Sequence, residues 1–139
     1  MANQHLRRAL DAVWGSAAGQ LALDLSGGRS TSEILTKKGY RVVVTQYRVP
    51  TAARDGTLRV AGVDLNRPLP FKDETFDAVN LTEVIEHIEN QPQLIREIAR
   101  VLKADGEVAI STPNVLNIVS RLRFLFTGFV RGRVRPVHY

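Results

Sequence analysis

The chain has 139 residues, enough for one domain with its own hydrophobic core, and it contains no cysteine, which excludes disulfides and thiolate metal sites. A hydrophobic fraction of 44% and a charged fraction of 24% are ordinary for a globular domain. The absence of cysteine suits a reducing cytoplasm, which is the predicted location, and no apolar run reaches the roughly 18 residues of a transmembrane helix. Residues 1–120 contain 14 basic and 14 acidic side chains, so the net charge of +5 comes from the following arginines, and nucleic acid is not a predicted partner.

Helices and strands are predicted to alternate along the first half of the chain. Apolar residues at spacings of three and four indicate a helix, whereas short runs of β-branched and apolar residues indicate buried strands. The predicted elements are a helix around Leu6–Trp14, a strand Leu21–Leu25, a helix Thr31–Lys38 ended by Gly39, a strand Arg41–Thr45 and a strand Leu58–Leu65. Tyr47–Gly56, which contains Pro50, is predicted to be a loop.

The second half continues the same alternation. A strand is predicted at Phe76–Thr82, a helix at Gln91–Leu102, a turn at Ala104–Gly106, a strand at Glu107–Thr112 and a last helix at Asn114–Gly128. The predicted buried stripe of the Gln91–Leu102 helix is Leu94, Ile95, Ile98, Val101 and Leu102. Phe71 and Phe76 are expected to anchor the core, and Asp77, at the start of its strand, is expected to have a structural role.

This alternation predicts an α/β fold, a three-layer α/β/α sandwich around a parallel sheet. Right-handed crossovers that reverse direction after the third strand give the strand order 3-2-1-4-5. We predict one domain over residues 1–139, with an N-terminal helix in 1–19, a core in 20–113 and a helix with a basic tail in 114–139. Ligands bind where the strand order reverses, which here places a site over Ser26–Ser30 and Leu81–Glu83.

A glycine-containing loop follows the first strand. Asp24 precedes Ser26, Gly27 and Gly28, and the chain then enters a helix. Such a loop lets a ligand approach the backbone closely and presents helix N-terminal amides to a carboxylate or phosphate. By itself this segment is also consistent with an ordinary strand–helix turn.

Several longer motifs resemble one family. The segments DLNRPLPFKDETFDAV, EVIEHI and REIARVLKADGEVAISTPN, with the helix that follows them, look like the class I S-adenosylmethionine (SAM) methyltransferases of the type 11 and type 23 group. The resemblance implies a Rossmann-like fold, SAM as cofactor and transfer of its methyl group to oxygen, nitrogen or carbon of a small-molecule acceptor. The TPN ending is similar to members that act in cell-surface glycan, lipid or quinone pathways.

The resemblance also assigns cofactor-binding residues. The loop Asp24, Ser26, Gly27 and Gly28 corresponds to the family's D-x-G-x-G-x-G pattern, and Leu81 lies at the reversal point. At the end of the second strand Gln46 takes the place of the acid that binds the ribose hydroxyls. Asp64 corresponds to the residue that accepts from the adenine amino group, and the amide of Leu65 to the one that meets a ring nitrogen.

Three residues are candidates for the chemistry itself. His87 follows the fourth strand, and with an unperturbed pKa of about 6.5 it could take a proton from an acceptor. Methyl transfer from a sulfonium can also proceed by positioning alone. Glu86 and Asn114 are predicted to contact the acceptor substrate, and no metal site is predicted.

The chain departs from the family pattern at several points. Ser26 and Ser30 replace glycines, Gln46 replaces an acid, and the two last strands of the family are absent, so we expect a fragment, a natural truncation or a homodimer formed through the fifth-strand edge and the last helix. The alternative to an enzyme is a non-catalytic module of the same fold that acts through protein interaction. Contact between Arg121–Arg135 and a membrane surface is a third interpretation.

Overall fold

A computed structural model describes residues 4–25, 29–47, 59–112 and residue 125. Its helices are α1 (Gln4–Val13), α2 (Arg29–Lys37) and α3 (Gln91–Val101), with a 3₁₀ helix at Ile85–His87. Its strands are β1 (Leu21–Asp24), β2 (Arg41–Gln46), β3 (Arg59–Gly62), β4 (Phe76–Thr82) and β5 (Leu102–Ser111). The predicted Asn114–Gly128 helix and the Arg121–Arg135 tail lie outside the described residues, apart from Leu125, as does most of the predicted Tyr47–Gly56 loop.

The five strands form one parallel sheet in the order β3-β2-β1-β4-β5, which confirms the predicted topology. The register places Leu23 of β1 beside Val43 of β2 and Val79 of β4. The order in which strands are added to the sheet therefore reverses between β1 and β4. The carboxyl ends of these two strands flank the reversal point.

Two hydrophobic clusters cover the two faces of the sheet. The face of Ala22 packs against Leu10, Trp14, Ile34 and Leu35, which come from α1, α2 and the turn after α1. The opposite face, built on Leu23, Phe76, Val79 and Leu81, packs against Leu94, Ile98 and Val101 of α3. Because neighbouring strand residues point to opposite faces, each buried strand supplies both clusters, and the result is the predicted α/β/α sandwich.

Local signals fix the ends of the helices. The side chain of Asn90 accepts a hydrogen bond from the Gln93 amide at 3.2 Å, which caps the start of α3. Gly39, which ends the turn after α2, has φ +96°, a backbone conformation that side chains disfavour. Gly39 therefore ends the turn through which the chain enters β2, and Asn90 starts α3 where the chain leaves the segment after β4.

Asp77 joins three elements at the amino end of the sheet, as its predicted structural role requires. Its carboxylate accepts from the Leu21 amide at 2.8 Å and from Lys103 Nζ at 2.8 Å. The Leu21 hydrogen bond, followed by the one from Lys103, lowers the pKa of Asp77. Asp77 therefore stabilises the fold above the ordinary carboxyl pKa, and this contribution is lost as the pH falls through the lowered value.

Two strand boundaries and one buried position predicted from the sequence are wrong. The third strand ends at Gly62 rather than Leu65, because the Asp64 carboxylate accepts from the Asn66 amide at 3.0 Å and turns the chain away. The fifth strand begins at Leu102, which pairs with Phe76, so the predicted Ala104–Gly106 turn is instead an irregularity within β5. Ile95 does not belong to the buried stripe and is 40% exposed, since the sheet contacts the Leu94, Ile98 and Val101 face of α3.

We expect Gly106→Ala to lower the free energy of unfolding by about 1–3 kcal/mol, the usual effect of overpacking. A Cβ on Gly106 would lie 2.7 Å from two carbons of the Leu102 side chain and 3.0 Å from the Lys103 carbonyl oxygen. Gly15→Ala is the matched control, because nothing lies within 4 Å of a Cβ at that position. Urea denaturation followed by the fluorescence of Trp14 measures both, and equal midpoints would show that the β5 irregularity tolerates a side chain.

Candidate functional site at the carboxyl end of the sheet

A cavity of about 410 Å³ lies at the carboxyl ends of the strands, beside the point where the strand order reverses. Its wall comes from the ends of β1 and β2 and from the segments that follow β3 and β4. The lining residues are Leu25, Thr45, Gln46, Tyr47, Val63, Asp64, Leu65, Asn66, Val84 and Ile88. Because the carboxyl ends of parallel strands converge here, residues distant in sequence share one concave surface.

Two predicted cofactor-binding residues, Gln46 and Asp64, meet at this cavity. Gln46 ends β2, and its carbonyl oxygen accepts from the Val63 amide at 3.0 Å, which fixes the segment that carries Asp64. Asp64 Oδ1 accepts from the Asn66 amide at 3.0 Å, and Oδ2 lies 3.4 Å from Arg67 Nε. Each carboxylate oxygen has two lone pairs, so Asp64 retains the capacity to accept from a ligand. Leu65, the third predicted residue, lies in the same wall.

The segment after β4 forms the opposite wall. Its 3₁₀ helix is closed by hydrogen bonds from the His87 amide to the Val84 carbonyl at 2.9 Å and from the Ile88 amide to the Ile85 carbonyl at 3.2 Å. Asn66 Oδ1 accepts from the Glu89 amide at 3.0 Å, which joins this segment to the wall that carries Asp64. The cavity is therefore bounded by two segments held at a fixed separation.

Seven lining residues were not predicted as site residues from the sequence: Leu25, Thr45, Tyr47, Val63, Asn66, Val84 and Ile88. Val84 and Ile88 are apolar residues four apart in the segment that follows β4, and this spacing is the signal that could have found them. Tyr47 is 75% exposed at the mouth of the cavity, directly after the end of β2. Exposed aromatic side chains next to a strand end are suited to stacking on a planar ligand.

A buried polar network crosses the reversal point of the sheet. Asp24 is fully buried and accepts from Thr31 Oγ1 at 2.6 Å and from Asn80 Nδ2 at 3.0 Å. Thr82 Oγ1 donates to Asn80 Oδ1 at 3.0 Å. The network thus ties the end of β1 to the first turn of α2 and to the end of β4. The carboxylate of Asp24, predicted as a cofactor ligand, is engaged here by protein donors.

The structure also buries Leu81, another predicted cofactor-binding residue. Its side chain is fully enclosed in the hydrophobic cluster with Leu94 and Ile98, below the cavity wall. Glu83, two residues later, has φ 52°, and its amide donates to the Ser111 carbonyl at 2.9 Å. A left-handed backbone conformation at a glutamate is uncommon and requires support from its surroundings.

His87 and Glu86, the predicted chemical residues, lie in the 3₁₀ helix beside the cavity and not in its lining. The side chains are 71% and 26% exposed, respectively, and His87 Nε2 lies 4.0 Å from Glu86 Oε1. Ser26, Gly27, Gly28 and Asn114 lie outside the described residues, so their predicted contacts stay predictions. Within the described ranges no group of three or more acidic or histidine side chains could hold a metal ion.

The sequence matches the model of the methyltransferase domain family over residues 23–110, which is more than half of the chain. The chain therefore belongs to this family, the type 11 group of class I SAM-dependent methyltransferases. The demethylmenaquinone methyltransferase of Thermobifida fusca is 33% identical over 140 residues, and that of Mycobacterium tuberculosis strain H37Rv is 34% identical over 136 residues. Each comparison covers 93% of this chain and 58% of the relative, so the chain spans little more than half the length of these curated relatives.

Solved structures show the same fold. A SAM-dependent methyltransferase from Archaeoglobus fulgidus superposes with a TM-score of 0.71 at 18% identity, over 96% of this chain and 63% of that one. The Burkholderia thailandensis 1,6-didemethyltoxoflavin-N1-methyltransferase, solved with bound 1,6-didemethyltoxoflavin and S-adenosylhomocysteine, gives a TM-score of 0.60 at 22% identity, over 75% of this chain and 50% of that one. Among the described residues, no helix combines the length and apolar character needed to cross a membrane.

Proposed function

We propose that this chain binds SAM in the carboxyl-end cavity and supports transfer of its methyl group to a small organic acceptor. The observation that carries the proposal is the convergence of Gln46 and Asp64 at one cavity, joined by the hydrogen bond between the Val63 amide and the Gln46 carbonyl. The family membership of the chain supports the same cofactor.

The lining residues suit an adenosine group. A volume of about 410 Å³ falls within the range of pockets that enclose small ligands. Gln46 would hold a ribose hydroxyl, and Asp64 and the Leu65 amide would hold the adenine edge. Val63, Val84 and Ile88 supply apolar walls. The Ser26–Gly28 loop is proposed to hold the amino acid portion of the cofactor.

SAM supplies an electrophilic methyl group on a sulfonium, and the residues of this chain orient the reactants. The Asp24–Asn80–Thr82 network fixes the strand ends on both sides of the reversal point, where small displacements would misalign an in-line displacement. His87, at the edge of the cavity, is proposed to accept a proton from the acceptor. Glu86 and Asn114 are proposed to orient the acceptor.

A quinone-type acceptor is the proposal that the relatives favour. The Thermobifida and Mycobacterium relatives are demethylmenaquinone methyltransferases, and each is covered over 58% of its length. Radiolabelled SAM incubated with the protein and demethylmenaquinone should label the quinone. SAM binding without label transfer to this or other small acceptors would favour the non-catalytic module.

A homodimer through β5 also stays a proposal. Val108 and Ile110, on one face of this strand, are 46% and 44% exposed, which is unusual for β-branched strand residues.

Contact of Arg121–Arg135 with a membrane surface and a cytoplasmic location likewise stay predictions.

Gln46→Asp should tighten binding of S-adenosylhomocysteine about 3- to 10-fold, because a carboxylate accepts from both ribose hydroxyls and charged acceptors form stronger hydrogen bonds. Isothermal titration calorimetry measures the change. Gln20→Asp is the matched control, since Gln20 is exposed and precedes β1 at the opposite end of the sheet. No heat with the unsubstituted chain at millimolar ligand would contradict cofactor binding. Equal effects of the two substitutions would contradict the role of Gln46.

A further inference from the structure

A second and larger cavity, of about 810 Å³, lies at the amino end of the sheet. Its walls come from the segment between α1 and β1, the residue before β2, the start of β4 and the irregular part of β5. The lining residues are Val13, Gly15, Ser16, Ala17, Gln20, Tyr40, Glu74, Asp77, Lys103, Ala104, Asp105, Gly106 and Glu107. It faces away from the carboxyl-end cavity, and the proposed methyl transfer does not use it.

The lining is strongly acidic in a chain whose net charge is +5. It contains four carboxylates and one ammonium group, and that ammonium, Lys103 Nζ, is paired with Asp77 at 2.8 Å. The remaining carboxylates are Glu74, Asp105 and Glu107. Within the part of the chain that the structure describes, none of these three has a side-chain hydrogen bond or ion-pair partner. The cavity therefore concentrates uncompensated negative charge.

A buried phenol adds a polar group to this cavity. Tyr40 is only 7% exposed, and its ring packs edge-on against Trp14 with centroids 6.0 Å apart. Its hydroxyl group has no hydrogen-bond partner among the described residues, although it belongs to the cavity wall. Burial, followed by the charges of Glu107 and Asp77, raises the pKa of Tyr40, so the hydroxyl stays protonated and its oxygen can accept from a cationic N–H group.

We propose that the amino-end cavity binds an organic cation that carries guanidinium or primary ammonium groups. A bare metal ion does not fit this cavity. Among the described residues, no three acidic or histidine side chains are placed so that they could hold one metal ion, and the cavity is far larger than one ion. An extended cation can instead place separate N–H donors against Glu107, Asp105 and the Tyr40 hydroxyl. Two sources have this chemistry: a free diamine or guanidine, and the chain's own Arg131, Arg133 and Arg135.

The test uses agmatine, which carries both groups, in calorimetric titrations of the complete chain. We expect a dissociation constant of about 0.1–1 mM, since exposed ion pairs contribute little each. The double variant Asp105→Asn and Glu107→Gln should weaken binding at least about 10-fold, and Tyr40→Phe about 3-fold. The matched control, Glu33→Gln with Glu89→Gln, removes the same charge from exposed positions outside the cavity and should leave binding within about 2-fold.

Two further measurements identify the source of the cation and distinguish binding at this cavity from binding at the carboxyl-end cavity. If neutralising Arg131, Arg133 and Arg135 to glutamine tightens agmatine binding, the chain's own arginines compete for the cavity. If affinity is unchanged, the site serves a free cation. No agmatine binding in either background, or equal weakening by the control double variant, would overturn the proposal. S-adenosylhomocysteine affinity should be the same in all of these variants, so failure here is distinguishable from failure of the proposed function.

Discussion

Asp24→Ala is expected to lower the free energy of unfolding by about 2–4 kcal/mol. The substitution removes the acceptor of two buried donors, the Thr31 hydroxyl at 2.6 Å and the Asn80 amide at 3.0 Å. Both donors lie in the interior, where an unmade hydrogen bond is not replaced by bulk water. Urea denaturation measures the change, and Asp24→Asn should have a smaller effect because one acceptor oxygen remains.

Asp11→Ala provides the matched control. Asp11 is 66% exposed and forms one surface ion pair, with its Oδ1 3.2 Å from Lys38 Nζ, so its loss should change stability by less than about 1 kcal/mol. If Asp24→Ala and Asp11→Ala unfold at the same urea concentration, the Asp24 network does not join the strand ends as described. A stable Asp24→Ala protein that nevertheless loses cofactor binding would instead favour a direct ligand role for this carboxylate.

Phe76→Ala should have the largest effect on stability, about 3–5 kcal/mol, the usual range for truncating a buried phenylalanine. Phe76 is 1% exposed and meets Phe71 edge-on with ring centroids 5.1 Å apart. It also pairs with Leu102, at the start of β5. Its removal leaves a cavity where β4, β5 and the loop before β4 meet.

Val13→Ala is the control for this prediction, because Val13 is 57% exposed at the end of α1. We expect a change within about 0.5 kcal/mol for that variant. Thermal or urea unfolding of the two proteins side by side measures the difference. Similar unfolding midpoints would contradict the assignment of Phe76 to the core.

The topology could be predicted from sequence because the periodic signals agree with the tertiary structure. Leu21–Asp24 and Phe76–Thr82 are short apolar runs, and both form central strands buried on two faces. The start of β5 could not be predicted, because Ala104–Gly106 has turn composition and only the pairing of Leu102 with Phe76 extends the strand through it. That pairing is a tertiary contact, and no local signal encodes it.

The candidate site was predictable where a residue's position follows from the end of a strand. The family resemblance assigned Gln46 and Asp64 at the predicted ends of the second and third strands, and both line one cavity. Asp24 and Leu81 also follow from strand ends, yet both side chains are buried, because the alternation of faces and the packing of neighbouring elements decide which side chain reaches the surface. Val84 and Ile88 flank the 3₁₀ helix on either side and line the cavity. The sequence does not specify the direction of this helix, so their position could not be predicted.

The two ends of the sheet differ in chemistry. The carboxyl-end cavity combines apolar walls with Gln46 and Asp64, whereas the amino-end cavity is lined by carboxylates and by Tyr40. A neutral adenosine group with its planar adenine ring suits the first surface, and a cation suits the second. Ligand titrations that report individual residues can therefore assign each ligand to one end.

Amide chemical-shift mapping with S-adenosylhomocysteine tests the central claim, that the cofactor binds in the carboxyl-end cavity, most directly. We predict saturable shifts for the amides of Gln46, Asp64, Leu65 and Asn66, and none for Gln20, Tyr40 and Lys103 at the amino end. Shifts concentrated at the amino-end residues, or no saturable shift at millimolar ligand, would contradict the claim.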